Sequence, residues 1–209
     1  MPKQSATRPY SSAIRAASAA EKRLRVIAAA TELLRNGGGI STFSLDAVAK
    51  AAGVTRLTVY NQFGSRRGLL EVLFDEIAEH GGLTQIGSAM AMADAEEALQ
   101  RVIEIFCDFW ASDPAIGRLH DAMVIDAEFA LALTARNERR RKVMLALVTR
   151  LAKGQATPRQ RRDVADLLYA CTSNTMYRML NIGRSPEATR ALVVAACRAV
   201  VRENVQMAR

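Results

Sequence analysis

The chain has 209 residues, half of them hydrophobic, with only 12 Gly and 5 Pro, a composition that excludes a disordered or fibrous chain and allows one or two cored domains. Cys107, Cys171 and Cys197 form an odd set with no CxxC or Cys/His cluster, which supports neither a disulfide framework nor a zinc site and fits a reducing cytoplasm. The net charge of +8 is local, because residues 1–70 hold eleven Lys or Arg against three acids while the remainder balances. That asymmetry points to a polyanion-binding first module joined to a neutral one, although a merely solvated basic face leaves the same imbalance.

Residues 1–20 carry Lys3, Arg8 and Arg15, several serines and no acid, and read as a basic, disordered arm; no apolar block follows to make a secretory signal. Residues 21–36 place Leu24, Ile27, Ala28, Leu33 and Leu34 on one face of an amphipathic helix. The glycines at 37–39 stop it. No strand precedes them and no Gly-Lys-Ser/Thr follows, so they read as a helix end and turn rather than a phosphate loop. Ser44 caps a short helix over 45–51, with Asp46 at its positive end and Leu45, Val48 and Ala52 inward. Gly53 ends that helix, and Thr55 caps the next, which buries Val59 and Phe63 and leaves Arg56, Leu57, Tyr60 and Asn61 outside. Two helices around a three-residue glycine turn make a helix-turn-helix unit, whose polar second helix is shaped to enter a DNA major groove. Ser65 caps a fourth helix with the stripe Leu69, Leu70, Leu73, Phe74 and Ile77.

The rest carries no alternating pattern and reads as helix: 94–111, a short segment over 114–123, 127–153 with basic residues at 139–142, 158–181 after Thr157, and 186–205 after Ser185. The fold class is all-α. No run approaches the length of a membrane span. Two histidines, no nucleophile motif, no metal-ligand spacing and no cofactor loop leave an enzyme reading without a catalytic residue.

The block Phe43-Ser44-Leu45-Asp46-Ala47-Val48-Ala49, followed by Ala52-Gly53-Val54-Thr55, Thr58-Val59-Tyr60, Phe63, Ser65-Arg66 and Leu69-Leu70, resembles the tetracycline-repressor (TetR) family of regulators. The resemblance covers roughly residues 21–77. It implies a DNA-binding head at 21–77, an effector-binding and dimerising helical body at 83–209, and a homodimer formed through the last two helices. It also implies that Ser44, Thr55, Arg56, Leu57, Thr58, Tyr60, Asn61 and Arg66 contact double-stranded DNA, with Thr58, Tyr60 and Arg66 on the backbone and Arg56 and Leu57 near bases. Leu57, Gln62 and Arg67 depart from the family pattern, which bears on the target sequence.

In the body, Phe106, Trp110, His120, Met123, Tyr169, Met176 and Tyr177 are large or polar-tipped residues suited to line a pocket for a small, largely apolar effector, or to fill the core. The expected pocket lies between the helix of Phe106 and Trp110 and the helix of Tyr169 and Tyr177. The expected dimer seam holds Val164, Leu167, Leu168, Cys171, Met179, Ile182, Leu192, Ala196, Ala199 and Val200. The leading function is a transcriptional repressor released from a palindromic operator by that effector, without a cofactor. The alternative is a DNA-binding structural or adaptor protein whose body binds another protein.

Overall fold

The computed structural model describes residues 9–36 and 40–206, with side chains described for 15–36 and 40–204. It is helical throughout, with no strand among the described residues. The chain divides into two compact units after Leu73.

The first unit contains α1 (Pro9–Asn36), a short turn at Ile40–Thr42, α2 (Leu45–Ala52), α3 (Arg56–Phe63) and the start of α4 (Arg66–His80). Its core is built by Val26, Ala30 and Leu34 of α1 with Val48, Val59, Phe63, Leu69 and Leu70, all buried. The expected face of α1 is shifted: Leu24 is 67% exposed and Ala28 is also exposed. Apolar residues are so dense over 24–34 that stripes in two registers satisfy the helical period, and packing against α2 and α3 selects the one through Val26. The arm is shorter than expected, because the alanine-rich segment 9–20 continues α1. Lys3, Arg8 and the glycines at 37–39 lie outside the described residues.

The second unit follows the end of α4 with a turn at Leu83–Gln85, α5 (Ile86–Met90), α6 (Ala95–Ser112), α7 (Ala115–Ala122), α8 (Ala127–Ala152), α9 (Pro158–Cys171), α10 (Asn174–Leu180) and α11 (Pro186–Val201). A wider turn, Arg202–Gln206, closes the described chain. Each long helix starts on a side-chain cap: Asp94 Oδ1 accepts from Glu96 and Glu97 N–H, Asp126 Oδ1 from Phe129, Thr157 forms a capping box with Gln160, and Ser185 Oγ accepts from Ala188. The core is a continuous cluster of α6, α8, α9 and α11 that includes Val102, Ile103, Phe106, Met144, Leu147, Leu168 and Cys197.

The single helix expected over 158–181 is two. Thr172 Oγ1 donates back to Leu168 O at 2.8 Å, and the extended Ser173 caps a new helix by accepting from Met176 N–H at 3.1 Å. A Thr-Ser pair that satisfies the backbone locally breaks the helix even though apolar residues continue on both sides. None of the described helices is long and apolar enough to cross a membrane, and among the described residues no group of three His, Cys, Asp or Glu is placed to hold a metal.

Candidate nucleic-acid interface and effector cleft

The helix-turn-helix is built from caps and one left-handed glycine. Ser44 Oγ accepts from Ala47 N–H at 3.1 Å and starts α2, placing the Asp46 carboxylate at the positive end of the helix. Gly53 then adopts φ 64°, ψ 36°, and Val54 N–H donates to Ala49 O at 3.0 Å, closing the helix. A Cβ on Gly53 would meet nothing within 4 Å, so glycine is needed for the dihedral and not for space. Thr55 is extended, its Oγ1 accepting from Thr58 N–H at 3.1 Å and sharing a 2.9 Å hydrogen bond with the Thr58 hydroxyl.

Eight residues of α3 bury only Val59 and Phe63. The pair sits four residues apart and pins one stripe, leaving Arg56 and Asn61 exposed, Leu57 65% exposed and Tyr60 56% exposed. Two large apolar side chains in water on so short a helix are informative when an arginine and an asparagine stand beside them. Arg56 Nη1 lies 3.5 Å from Asp46 Oδ2, with both side chains about two-thirds exposed, so solvent screens the pair and the guanidinium is released at little cost.

Arg66 is placed differently from the other expected DNA contacts. Its Nε donates to Phe43 O at 3.0 Å and its Nη2 to Ile40 O at 3.2 Å, with the guanidinium 5.8 Å from the Phe43 ring. The side chain fastens the segment before α2 to the start of α4. Arg23, which the sequence does not single out, and Gln62, one of the departures from the family pattern, tie α1 to α3. Arg23 lies 4.7 Å over the Phe63 ring and donates to Gln62 O, and Gln62 Nε2 donates to Ala19 O. Gly68 permits the close join of α3 to α4, since a Cβ there would stand 2.1 Å from Phe63 O.

In the second unit, Phe106 and Trp110 line a cleft of about 370 Å³ together with Phe74, Ile86, Phe109, Arg136, Arg140 and Val143. The cleft opens between α4, α5, α6 and α8, away from the position expected for it. Phe109 lies 4.7 Å from Trp110 and 6.1 Å from Phe74, so the aromatic wall is continuous. Two larger depressions, of about 590 and 570 Å³, are lined by many charged residues.

The remaining residues of the expected pocket are dispersed by the break at Thr172. Tyr169 on α9 covers the Arg140 guanidinium at 4.3 Å from outside the cleft lining. Tyr177 on α10 is buried with an unpartnered hydroxyl and faces the 570 Å³ depression. His120 meets Trp110 edge-on at 5.5 Å; burial pushes its imidazole down to about 4, with Arg140 and Arg178 adding to the shift. Met123 and Met176 are half-buried and line none of these spaces. Arg140, one of the basic residues at 139–142, is buried at the cleft wall.

Residues 26–73 match the family model described as bacterial regulatory proteins, tetR family. The HTH-type transcriptional regulator EthR of Mycolicibacterium smegmatis is 31% identical over 99 residues, which are 47% of this chain and 45% of that protein; the match thus spans about half the length of the curated relative. A TetR-family transcriptional regulator from Streptomyces coelicolor shares the fold with a TM-score of 0.70 at 20% identity, over 89% of this chain and 97% of that one. The fatty acid degradation regulator FadR from Bacillus halodurans does so with a TM-score of 0.67 at 18% identity, over 86% and 94%. Residues 26–73 thus carry a helix-turn-helix that matches the tetR-family model, and the helical fold is shared with these solved structures over most of the chain's length.

Proposed function

We propose that the chain is a DNA-binding transcriptional repressor that acts as a homodimer on an inverted-repeat operator and leaves it when a small, largely apolar effector occupies the cleft at Phe106 and Trp110. The observation that carries this reading is α3, a helix held by Val59 and Phe63 that turns Arg56, Leu57, Tyr60 and Asn61 into solvent. Arg56 near its start reads a base edge, while Thr58, Tyr60 and the caps Ser44 and Thr55 meet the phosphate backbone. Arg66 is assigned a positioning role, because its donors are engaged by Phe43 and Ile40 carbonyls.

Dimerisation is supported by apolar side chains that α9 to α11 leave in water: Leu167 is 46% exposed, Met179 65%, Ile182 78% and Leu192 40%. Val164 and Leu168 of the expected seam belong instead to the protomer's own core. Effector and operator are linked, so each must weaken the other's binding by the same factor. Selection of fragments of the source genome on the purified chain should enrich an inverted repeat. Recovery of fragments without a shared repeat would overturn the operator reading.

A further inference from the structure

The polar anomaly of the effector cleft is Arg140. It is 6% exposed, and its guanidinium stands 4.3 Å from the Tyr169 ring and 5.7 and 5.8 Å from those of Phe106 and Trp110. Nη1 donates to Thr172 O at 2.7 Å, an oxygen that also accepts from Trp110 Nε1 at 2.9 Å. Nε is buried and has no hydrogen-bond partner among the described residues. Among the described residues no carboxylate pairs with this cation: Asp75, the one acid of the cleft lining, accepts from both Nε and Nη2 of Arg136 at 3.1 and 2.7 Å. Arg139 adds a further guanidinium to the lining.

An arginine cannot shed its proton, and a buried charge with an unused donor is costly unless an anion or further hydrogen bonds compensate it. Ring faces, one carbonyl and a hydrogen bond with the Tyr169 side chain supply part of that compensation and leave Nε over. We infer that Arg140 is the receptor for a carboxylate, and that the effector is an apolar molecule bearing one such group, which accepts from Arg140 Nε while its body lies against Phe106, Phe109 and Trp110. This inference rests on the effector reading of the cleft and narrows it to a ligand class. A single carboxylate matches one orphaned donor in a space of about 370 Å³ with aromatic walls. An arginine that served only to brace Thr172 would confer no preference between an acid and its amide.

Trp110 is the only tryptophan in the chain and lines the cleft, so its emission reads occupancy directly. The full chain is titrated at neutral pH with decanoate and, separately, with decanamide, a neutral counterpart of the same length. Decanoate should bind at least about tenfold more tightly, the discrimination expected of one charge-assisted hydrogen bond. Arg140→Gln should shrink that gap to within about twofold, and Arg140→Lys, which keeps the charge, should retain most of it. Saturable quenching with equal affinity for both ligands overturns the carboxylate receptor while leaving the cleft as an effector site. No response to either ligand overturns the receptor and counts against the cleft as well. The comparison of the two ligands on the unaltered chain decides the matter even if Arg140→Gln does not fold.

Discussion

Arg56 and Arg66 stand ten residues apart in the same basic head, and their surroundings predict opposite consequences for alanine substitution. Arg66→Ala removes donors to Phe43 O and Ile40 O at 3.0 and 3.2 Å and the contact with the Phe43 ring. Hydrogen bonds to a charged group are worth about 1.5–3 kcal/mol each. Here the side chain is only partly buried and water can reach the freed carbonyls, so the total falls to about 2–3 kcal/mol. In a chain of this size that lowers the melting temperature by roughly 4–12 °C if unfolding is a single transition. Arg56→Ala breaks a 3.5 Å pair whose members are about two-thirds exposed, worth about 0–0.5 kcal/mol, and melts with the unaltered chain. On DNA the order reverses in kind. Arg56→Ala should relax the preference at one base pair per half-site by about 1–3 kcal/mol, with little change on random sequence, while Arg66→Ala should lose affinity on every sequence in step with its loss of folded head. Circular dichroism melts and fluorescence anisotropy on one labelled operator measure both. If Arg66→Ala melts with the unaltered chain and lowers the salt slope by about one unit per subunit, Arg66 is a phosphate contact and the bracing argument is refuted.

Neighbouring leucines on α9 give a second contrast. Leu167→Glu should produce a folded monomer in sedimentation, because the side chain is 46% exposed, whereas Leu168→Ala, at a fully buried position, should cost about 2–5 kcal/mol in urea unfolding before any effect on assembly. His120 predicts a pH dependence. Its folded value of about 4 lies below the ordinary 6.5, so its contribution to stability is complete above 6.5 and declines as pH falls through 4. The unfolding free energy from urea titrations should fall over that window by on the order of 2–3 kcal/mol, and His120→Gln should flatten the decline; an unchanged pH profile in the variant would remove His120 as its source.

The head was legible from sequence because its signals are local. Ser44, Gly53, Thr55 and Ser65 act on backbone groups within a few residues of themselves, and Val59 and Phe63 stand four residues apart on the face of α3 that is buried. What escaped the reading depends on partners distant in the chain. The resemblance makes Arg66 a DNA-backbone contact, and only carbonyls 23 and 26 residues away in the chain, which accept from its Nε and Nη2, show it bracing the head. Arg140 lies in a run of four basic residues, and nothing within that run separates the one turned inward from its exposed neighbour Arg139. The cleft moved for the same reason. The period through 158–181 carried Tyr169 and Tyr177 on one continuous helix, and the hydroxyls of Thr172 and Ser173 ended it between them. A Thr-Ser pair before Asn174 was the available sign, outweighed by the apolar residues on either side.

On the proposed function, two copies of α3 enter successive major grooves of one operator. Hydroxyl-radical footprinting of the chain on the fragment recovered by genomic selection tests it most directly. Two protected patches are expected on one face of the duplex, related by the operator's two-fold symmetry and centred about 34–36 Å apart or a multiple of that distance. Arg56→Ala should leave that spacing intact. A single patch, or two whose separation places them on opposite faces of the helix, would contradict it.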